Sequence, residues 1–253
     1  MYLENKGIQM FDLTGKKALV TGAFGGLGKS IAKALREAGA ETLILDVNPD
    51  VNETAREIGA KSICADLGNP DELPTMFEEV ADLLGGLDIL VNNAGILTRS
   101  PFKELRLEDW RRVLSLNLDI VFRLCQLAGE VMLPQGSGKI INMASMLSYT
   151  GGYVVASYAA SKGAVTQLTK AISNEWAGQG ICVNAIAPGY MDTPINTLLV
   201  NDPVRSKEVL ARIPKGRWGV PDDLAGTAVF LASQASDYIT GTIIPVDGGY
   251  LAR

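Results

Sequence analysis

Histidine is absent from all 253 residues, and that omission closes off much of enzyme chemistry. With no imidazole the chain makes neither a Ser-His-Asp nor a Cys-His nucleophile, and no histidine-ligated zinc site. Any acid or base must therefore be Asp, Glu, Lys, Tyr or Cys. Cysteine is scarce too: Cys64, Cys125 and Cys182 are scattered with no C-x-x-C pair. No apolar run approaches the roughly 18 residues of a membrane span, and the opening MYLENKGIQMFDLTGKK lacks the apolar stretch of a signal peptide. A soluble, cytoplasmic protein is expected. Positive charge is not in excess either. A formal net charge of −5 argues against a surface for phosphate backbones, so nucleic acid is not an expected partner.

What is present is an ordinary globular composition, 47% hydrophobic and 20% charged, in a chain long enough to enclose a substantial core. Short apolar or β-branched runs alternate with longer stretches of helical period. The runs are KKALVTG, ETLILD, KSICAD, LDILVNNAG, GKIINMAS, GICVNAIAP and TIIPVDGG. The helical stretches cover roughly residues 27–38, 70–84, 107–133, 157–177 and 221–232. This alternation predicts an α/β protein, a doubly wound and mostly parallel sheet with helices on both faces. Residues 1–10 read as an extension and 11–253 as one domain. The stretch of about 188–217 shows no clear period and reads as a substrate loop or a surface connection.

Thr21 to Gly28 reads TGAFGGLG, directly after the first strand and at the start of the first helix. In that context Gly22 permits a tight turn, Gly26 lets the backbone approach a pyrophosphate, and Gly28 allows close helix packing. Such a loop by itself equally suits a plain strand-to-helix turn. The second strand, however, ends on Asp46, where a carboxylate accepts hydrogen bonds from both adenosine ribose hydroxyls and repels a 2′-phosphate. Ala23 and Phe24 occupy loop positions where a basic residue would neutralise that phosphate. Both features point to NAD. Asp66 and Leu67, after the third strand, are placed to meet the adenine, or else simply to form a turn.

Further on, Ser145 closes a strand, and Tyr158 and Lys162 follow one helical turn apart, on one face of a helix. A free phenol has a pKa of about 10, so it serves as a base near neutrality only where cations stabilise its anion. Lys162 offers one such cation, and the ring of oxidised NAD a second.

From about Phe11 to Arg253 the chain resembles the short-chain dehydrogenase/reductase family. The residues that carry the likeness are TGAFGGLG, Asn92-Asn93-Ala94-Gly95, Asn117, Ser145, Tyr158, Lys162, Pro188-Gly189 with Thr193, and Val246-Asp247-Gly248-Gly249. The resemblance implies a Rossmann-like fold in which Tyr158 exchanges the proton, Ser145 hydrogen-bonds the substrate oxygen, and Lys162 also binds the nicotinamide ribose. Asn117 is implied to hold a water in a proton relay. NAD is implied to lie along the glycine loop with Leu27, along Asn93, Ala94 and Gly95, and against Gly189, the Met191 backbone and Thr193. No metal is implied.

Within the family, GKIINMASMLSYTGG, SNEWAGQGICVNAIAPGYM, RIPKGRWGVPDDLAG and GGYLAR resemble bacterial sugar-acid dehydrogenases of the 2-dehydro-3-deoxy-D-gluconate 5-dehydrogenase type, also called 2-deoxy-D-gluconate 3-dehydrogenase, with gluconate 5-dehydrogenase close behind. A sugar-acid carboxylate asks for a cation, and a bidentate arginine fits best. Arg99 is the first candidate. Arg217 reads as structural or as a subunit contact, and Arg253 as a terminal residue that could reach a neighbouring subunit. A 3-oxoacyl or other ketone reductase, a polyol dehydrogenase, and a non-catalytic dinucleotide sensor stay open as alternatives. Family members are commonly homotetramers, so a homotetramer is expected.

Overall fold

The computed structural model describes residues 9–253, so most of the expected extension at 1–10 lies outside the described residues. All seven apolar runs form strands: β1 (Lys17–Thr21), β2 (Glu41–Asp46), β3 (Lys61–Cys64), β4 (Ile89–Asn92), β5 (Gly138–Met143), β6 (Ile181–Pro188) and β7 (Ile243–Val246). They form one sheet in the order β3-β2-β1-β4-β5-β6-β7. Every pairing is parallel. The helices are α1 (Gly26–Glu37), α2 (Val51–Ile58), α3 (Leu73–Leu84), α4 (Leu107–Leu114), α5 (Ile120–Gln135), α6 (Ala156–Trp176), α7 (Thr197–Val200), α8 (Pro203–Leu210) and α9 (Ala225–Ala232).

Strand side chains alternate between two cores, as a period of two requires. Leu43 and Leu45 of β2 pack with Phe77 and Val80 of α3 and with Leu124 and Leu127 of α5. Ile44, between them, packs on the other face with Ile31 and Leu35 of α1 and with Ala228 and Leu231 of α9. Burial on both faces explains why the strands read as unbroken apolar runs. The fold is the expected doubly wound, Rossmann-like α/β sheet.

Three local features differ from the sequence reading. Helix α2 was not expected: eight residues, VNETAREI, bury only Val51, Thr54 and Ala55, too few to reveal a period. The helix expected over 107–133 is broken at Ser115–Asp119, which forms a π-helical turn. The 188–217 stretch contains α7 and α8. Helix α8 buries only Val209 and is fixed at its start by Pro203 and by Asp202, whose carboxylate accepts the N–H groups of Val204 and Arg205 at 2.9 and 3.0 Å. A helix with so little buried area leaves no apolar stripe to find.

The order of strands fixes where a ligand can sit. The chain builds β2 and β3 on one side of β1, then crosses to β4 on the other, so the loops after β1 and β4 diverge and leave a crevice at their C-terminal ends.

Candidate active site

The two loops at that crevice are tied together. Thr21 Oγ1 accepts the N–H groups of Asn93 and Ala94 at 3.1 Å each. The Asn93 side chain donates to the carbonyls of Thr21 and Gly22 at 3.0 and 2.7 Å. This clamp dictates the glycines. Gly22 has φ of +64° and a Cβ there would lie 2.6 Å from Ala94 Cα, so no side chain fits. A Cβ at Gly28 would strike the Gly22 carbonyl. Gly26 is different: its φ is +53°, yet nothing lies within 4 Å of where a Cβ would point. That open side faces a cleft of about 420 Å³. Helix α1 begins beside it with Gly25 at the N-cap, no side chain capping its first N–H groups and no acid in its first turn. Those donors and the helix dipole suit an anion. The cradle therefore fits a pyrophosphate.

Asp46 stands at the far end of the same cleft. Its two carboxylate oxygens each accept one backbone N–H, from Phe24 and from Asn48, both at 3.0 Å. The side chain is thus held in place with lone pairs to spare. Among the residues lining the cleft, Lys162 is the one cation.

At the other end lie Ser145, Tyr158 and Lys162. Ser145 ends the β5 loop and caps a short 3₁₀ turn, Met146–Ser148, where its Oγ accepts the Leu147 N–H at 3.1 Å. Ser148 in turn donates to the Lys162 carbonyl at 2.8 Å, which staples this turn to α6. Lys162 is buried, and its ammonium donates to the Met143 carbonyl at 2.6 Å while lying 5.7 Å from the Tyr158 ring centroid. Burial lowers its pKa from an ordinary 10.5 to about 8. Burial also pushes the Tyr158 phenol above its ordinary 10, a shift that a hydrogen bond from Ser145 opposes. The protein's own groups therefore do not hold the phenol low. Of the two cations expected to stabilise its anion, Lys162 and the ring of the oxidised dinucleotide, the first has its ammonium engaged by the Met143 carbonyl.

Asn117 sits in the π turn, fully buried. Its amide donates to the Ile96 carbonyl at 2.9 Å and to Ser161 Oγ at 3.2 Å, and its oxygen accepts the Ile96 N–H at 2.8 Å. The wider turn inserts this side chain between the β4 loop and α6.

A second pocket of about 510 Å³ adjoins the first. Ser145, Tyr158, Gly189, Ile195 and Asn196 line both. Arg99 lines the second pocket, where its guanidinium donates to the Ile195 carbonyl at 3.1 Å and approaches Asn196 Oδ1 at 3.5 Å. Val154, on the wall between Ser145 and Tyr158, has φ of +57°. For a β-branched residue this stores about 1–3 kcal/mol of strain. Its carbonyl accepts the Ser100 N–H at 2.8 Å.

A short-chain dehydrogenase family model, described as Enoyl-(Acyl carrier protein) reductase, matches residues 22–251. The 2-dehydro-3-deoxy-D-gluconate 5-dehydrogenase of Bacillus subtilis is 48% identical over 96% of this chain and 97% of its own length. The chain belongs to the short-chain dehydrogenase/reductase family. Among solved members, one from Beutenbergia cavernae with NADP bound at low occupancy has a TM-score of 0.94 and 46% identity, covering 96% of this chain and 100% of that one. The gluconate 5-dehydrogenase of Burkholderia cenocepacia, in complex with NADP and tartrate, has a TM-score of 0.93 and 40% identity over 98% of this chain and 99% of that one.

Of the residues singled out in this family member's sequence, the cleft gathers Gly22, Gly26, Leu27, Asp46, Asn93, Ala94, Gly95, Ser145, Tyr158, Lys162, Gly189, Met191 and Thr193. Gly28 and Asn117 lie behind it as packing and positioning residues. Asp66 and Leu67 fall outside its lining: Asp66 is exposed and accepts the Gly68 N–H at 2.8 Å, and Leu67 is in the core. Arg217 is held by both oxygens of Asp223, at 2.6 and 2.7 Å, away from the cleft. Arg253 donates to the Ala211 carbonyl at 3.0 Å. Sequence reasoning missed Met143 and Ser148. The first acts through its carbonyl, which no side-chain pattern reveals, and the second completes a weak S-x-x-S capping signal.

Proposed function

We propose that the protein moves a hydride between NAD and a secondary alcohol or ketone of a sugar acid of the 2-keto-3-deoxygluconate, 2-deoxygluconate or gluconate type. One observation carries the proposal: Ser145 and Tyr158 line both the glycine-loop cleft and the adjoining pocket, so the same two hydroxyls face the nucleotide side and the substrate side.

The glycine loop, Asp46, the Asn93–Gly95 backbone, Gly189, Met191, Thr193 and Lys162 would hold the dinucleotide. When bound, it supplies the hydride acceptor for the carbinol carbon and, oxidised, a positive ring that favours the phenolate. In the oxidative direction Tyr158 takes the hydroxyl proton while Ser145 hydrogen-bonds the same oxygen, stabilising the charge that develops there. Asn117 has both amide hydrogens engaged and its oxygen accepts the Ile96 N–H, so the second lone pair of that oxygen is what it has to hold a relay water. Reduction of the ketone reverses these steps.

Asp46 and the absence of any cation near it among the cleft residues support NAD, since a 2′-phosphate there would meet a carboxylate and no partner. The NADP named for the Beutenbergia and Burkholderia structures supports the opposite preference. The names of the Bacillus and Burkholderia relatives support a sugar acid. The test is an absorbance screen with NAD and with NADP over gluconate, 2-deoxygluconate, 2-keto-3-deoxygluconate and simple polyols. Turnover of a sugar acid with NAD is expected. The variant Tyr158→Phe is expected to lose roughly 10²–10⁴ in kcat while NADH titration stays near wild type. Near-normal turnover in that variant removes Tyr158 from the mechanism, and polyol or 3-oxoacyl turnover without sugar-acid turnover rejects the substrate class.

A further inference from the structure

The second pocket carries a charge opposite to that of the chain as a whole. Three guanidiniums line it, Arg99, Arg205 and Arg212, against a single carboxylate, Asp202. Asp202 is already committed to capping α8 through Val204 and Arg205. A net positive pocket in a chain of net charge −5, opening on Ser145 and Tyr158, suits an anionic substrate.

The three arginines are not equivalent. Arg99 spends its guanidinium on the Ile195 carbonyl and Asn196, residues of the loop that roofs both pockets. Arg205 pairs with Glu208 at 3.5 Å and lies 5.5 Å from the exposed Tyr153 ring. Arg212 has no carboxylate within 4 Å among the described residues, and its guanidinium lies 4.4 Å from the centroid of the Tyr250 ring. Tyr250 is itself buried, packed with Met146, Val209 and Ile213, and edge-on to Tyr190 at 5.3 Å. Burial and Tyr250 push the Tyr190 phenol up, and the charges of Arg212 and Arg205 pull it the other way, so both guanidiniums act on the pocket floor. A guanidinium laid over a fixed aromatic ring keeps its N–H fork free at the edge, the geometry that takes a carboxylate with two parallel hydrogen bonds. Its rotamer freedom is already reduced before any ligand arrives.

We propose that Arg212, stacked on Tyr250, is the anchor for the substrate's carboxylate, and that Arg99 instead latches the roofing loop to the pocket wall. This rests on the sugar-acid reading above and names the residue that would select the acid. It moves the carboxylate from the loop after β4 to the segment after α8, so the substrate spans from Ser145 and Tyr158 to the C-terminal turn.

The experiment compares kcat/KM for a sugar acid with kcat/KM for its neutral amide or alditol, in wild type, Arg212→Gln, Arg212→Lys and Arg99→Gln, with thermal melts and NADH titration on each. Wild type is expected to prefer the acid. Arg212→Gln is expected to reduce that preference roughly 10- to 100-fold, as loss of a charged hydrogen-bond pair does, chiefly through KM for the acid. Arg212→Lys keeps the charge but loses the fork, so a several-fold drop is expected, and it carries the test should the glutamine variant not fold. A preference within twofold of wild type in the folded Arg212 variants overturns the assignment, and a collapse in Arg99→Gln alone transfers it to Arg99. A wild-type enzyme that turns over no sugar acid overturns the underlying functional reading and this inference together, whereas an intact preference in the Arg212 variants overturns only this one.

Discussion

The sharpest test of the electrostatics is the replacement Lys162→Met followed by unfolding at several pH values. Burial brings the Lys162 ammonium from an ordinary pKa of 10.5 to about 8. In the unfolded chain the group keeps its proton until about 10.5, so between those two values the unfolded state binds one more proton than the folded state. Stability must then rise with pH through that window. At about 1.4 kcal/mol for each pH unit the rise totals roughly 3 kcal/mol. Below pH 8 both states are protonated and the folded protein bears the whole cost of the buried charge. Above 10.5 both are neutral and the cost is gone. Methionine removes this dependence, at the expense of the hydrogen bond to the Met143 carbonyl, which costs about 1–3 kcal/mol when a buried acceptor is left unpaired. At pH 7 the two effects nearly cancel, and the variant is expected to be as stable as wild type while losing turnover. At pH 10 the wild type is expected to lead by about 2 kcal/mol. Urea unfolding at fixed protein concentration, from pH 7 to pH 10, measures the difference between the two proteins, in which the titration of other lysines and of tyrosines cancels. Parallel stability curves over that range would refute a buried, shifted lysine.

Two glycines separate fold from ligand. Gly22→Ala places a Cβ 2.6 Å from Ala94 Cα at a φ of +64°, so a loss of about 2 kcal/mol or more is expected in thermal or urea unfolding. Gly26→Ala meets nothing within 4 Å; it is expected to cost only its backbone strain, about 1 kcal/mol, while NADH titration shows a much weaker complex. Asp46→Ser is expected to shift the ratio of kcat/KM for NAD over NADP toward NADP by about tenfold or more, as loss of a charge-assisted hydrogen bond and of a like-charge repulsion would; an unchanged ratio rejects the ribose assignment.

Much of this was legible in the sequence because the chemistry concentrates in local patterns. Strand runs buried on both faces announce themselves, and a glycine loop, a strand-end aspartate and a tyrosine-lysine pair each occupy a few consecutive residues. What stayed hidden depends on tertiary context. Helix α2 and helix α8 bury too little to show a period. The π turn at Ser115–Asp119 is set by what Asn117 must reach, the Ile96 backbone and Ser161, and no spacing within 107–133 announces it. The role of Arg212 depends on Tyr250, distant in sequence, closing over the segment after α8. Even the sign of the phenol's shift depends on burial, which a helical spacing of four leaves undetermined.

The costs borne by this fold are unevenly placed, and their placement bears on whether the protein turns over substrate or only binds a dinucleotide. The strand interiors carry mostly apolar side chains in two cores. Around the wall shared by the two pockets gather a buried lysine, a half-buried tyrosine, a π turn and a valine at φ of +57°. A sensor needs the glycine loop and Asp46 to hold a dinucleotide. It has no use for strain of about 1–3 kcal/mol on the substrate side of Tyr158. Features that oppose stability at one wall make physical sense where protons are to be moved, since a water-poor site strengthens every charge interaction that a transition state calls on.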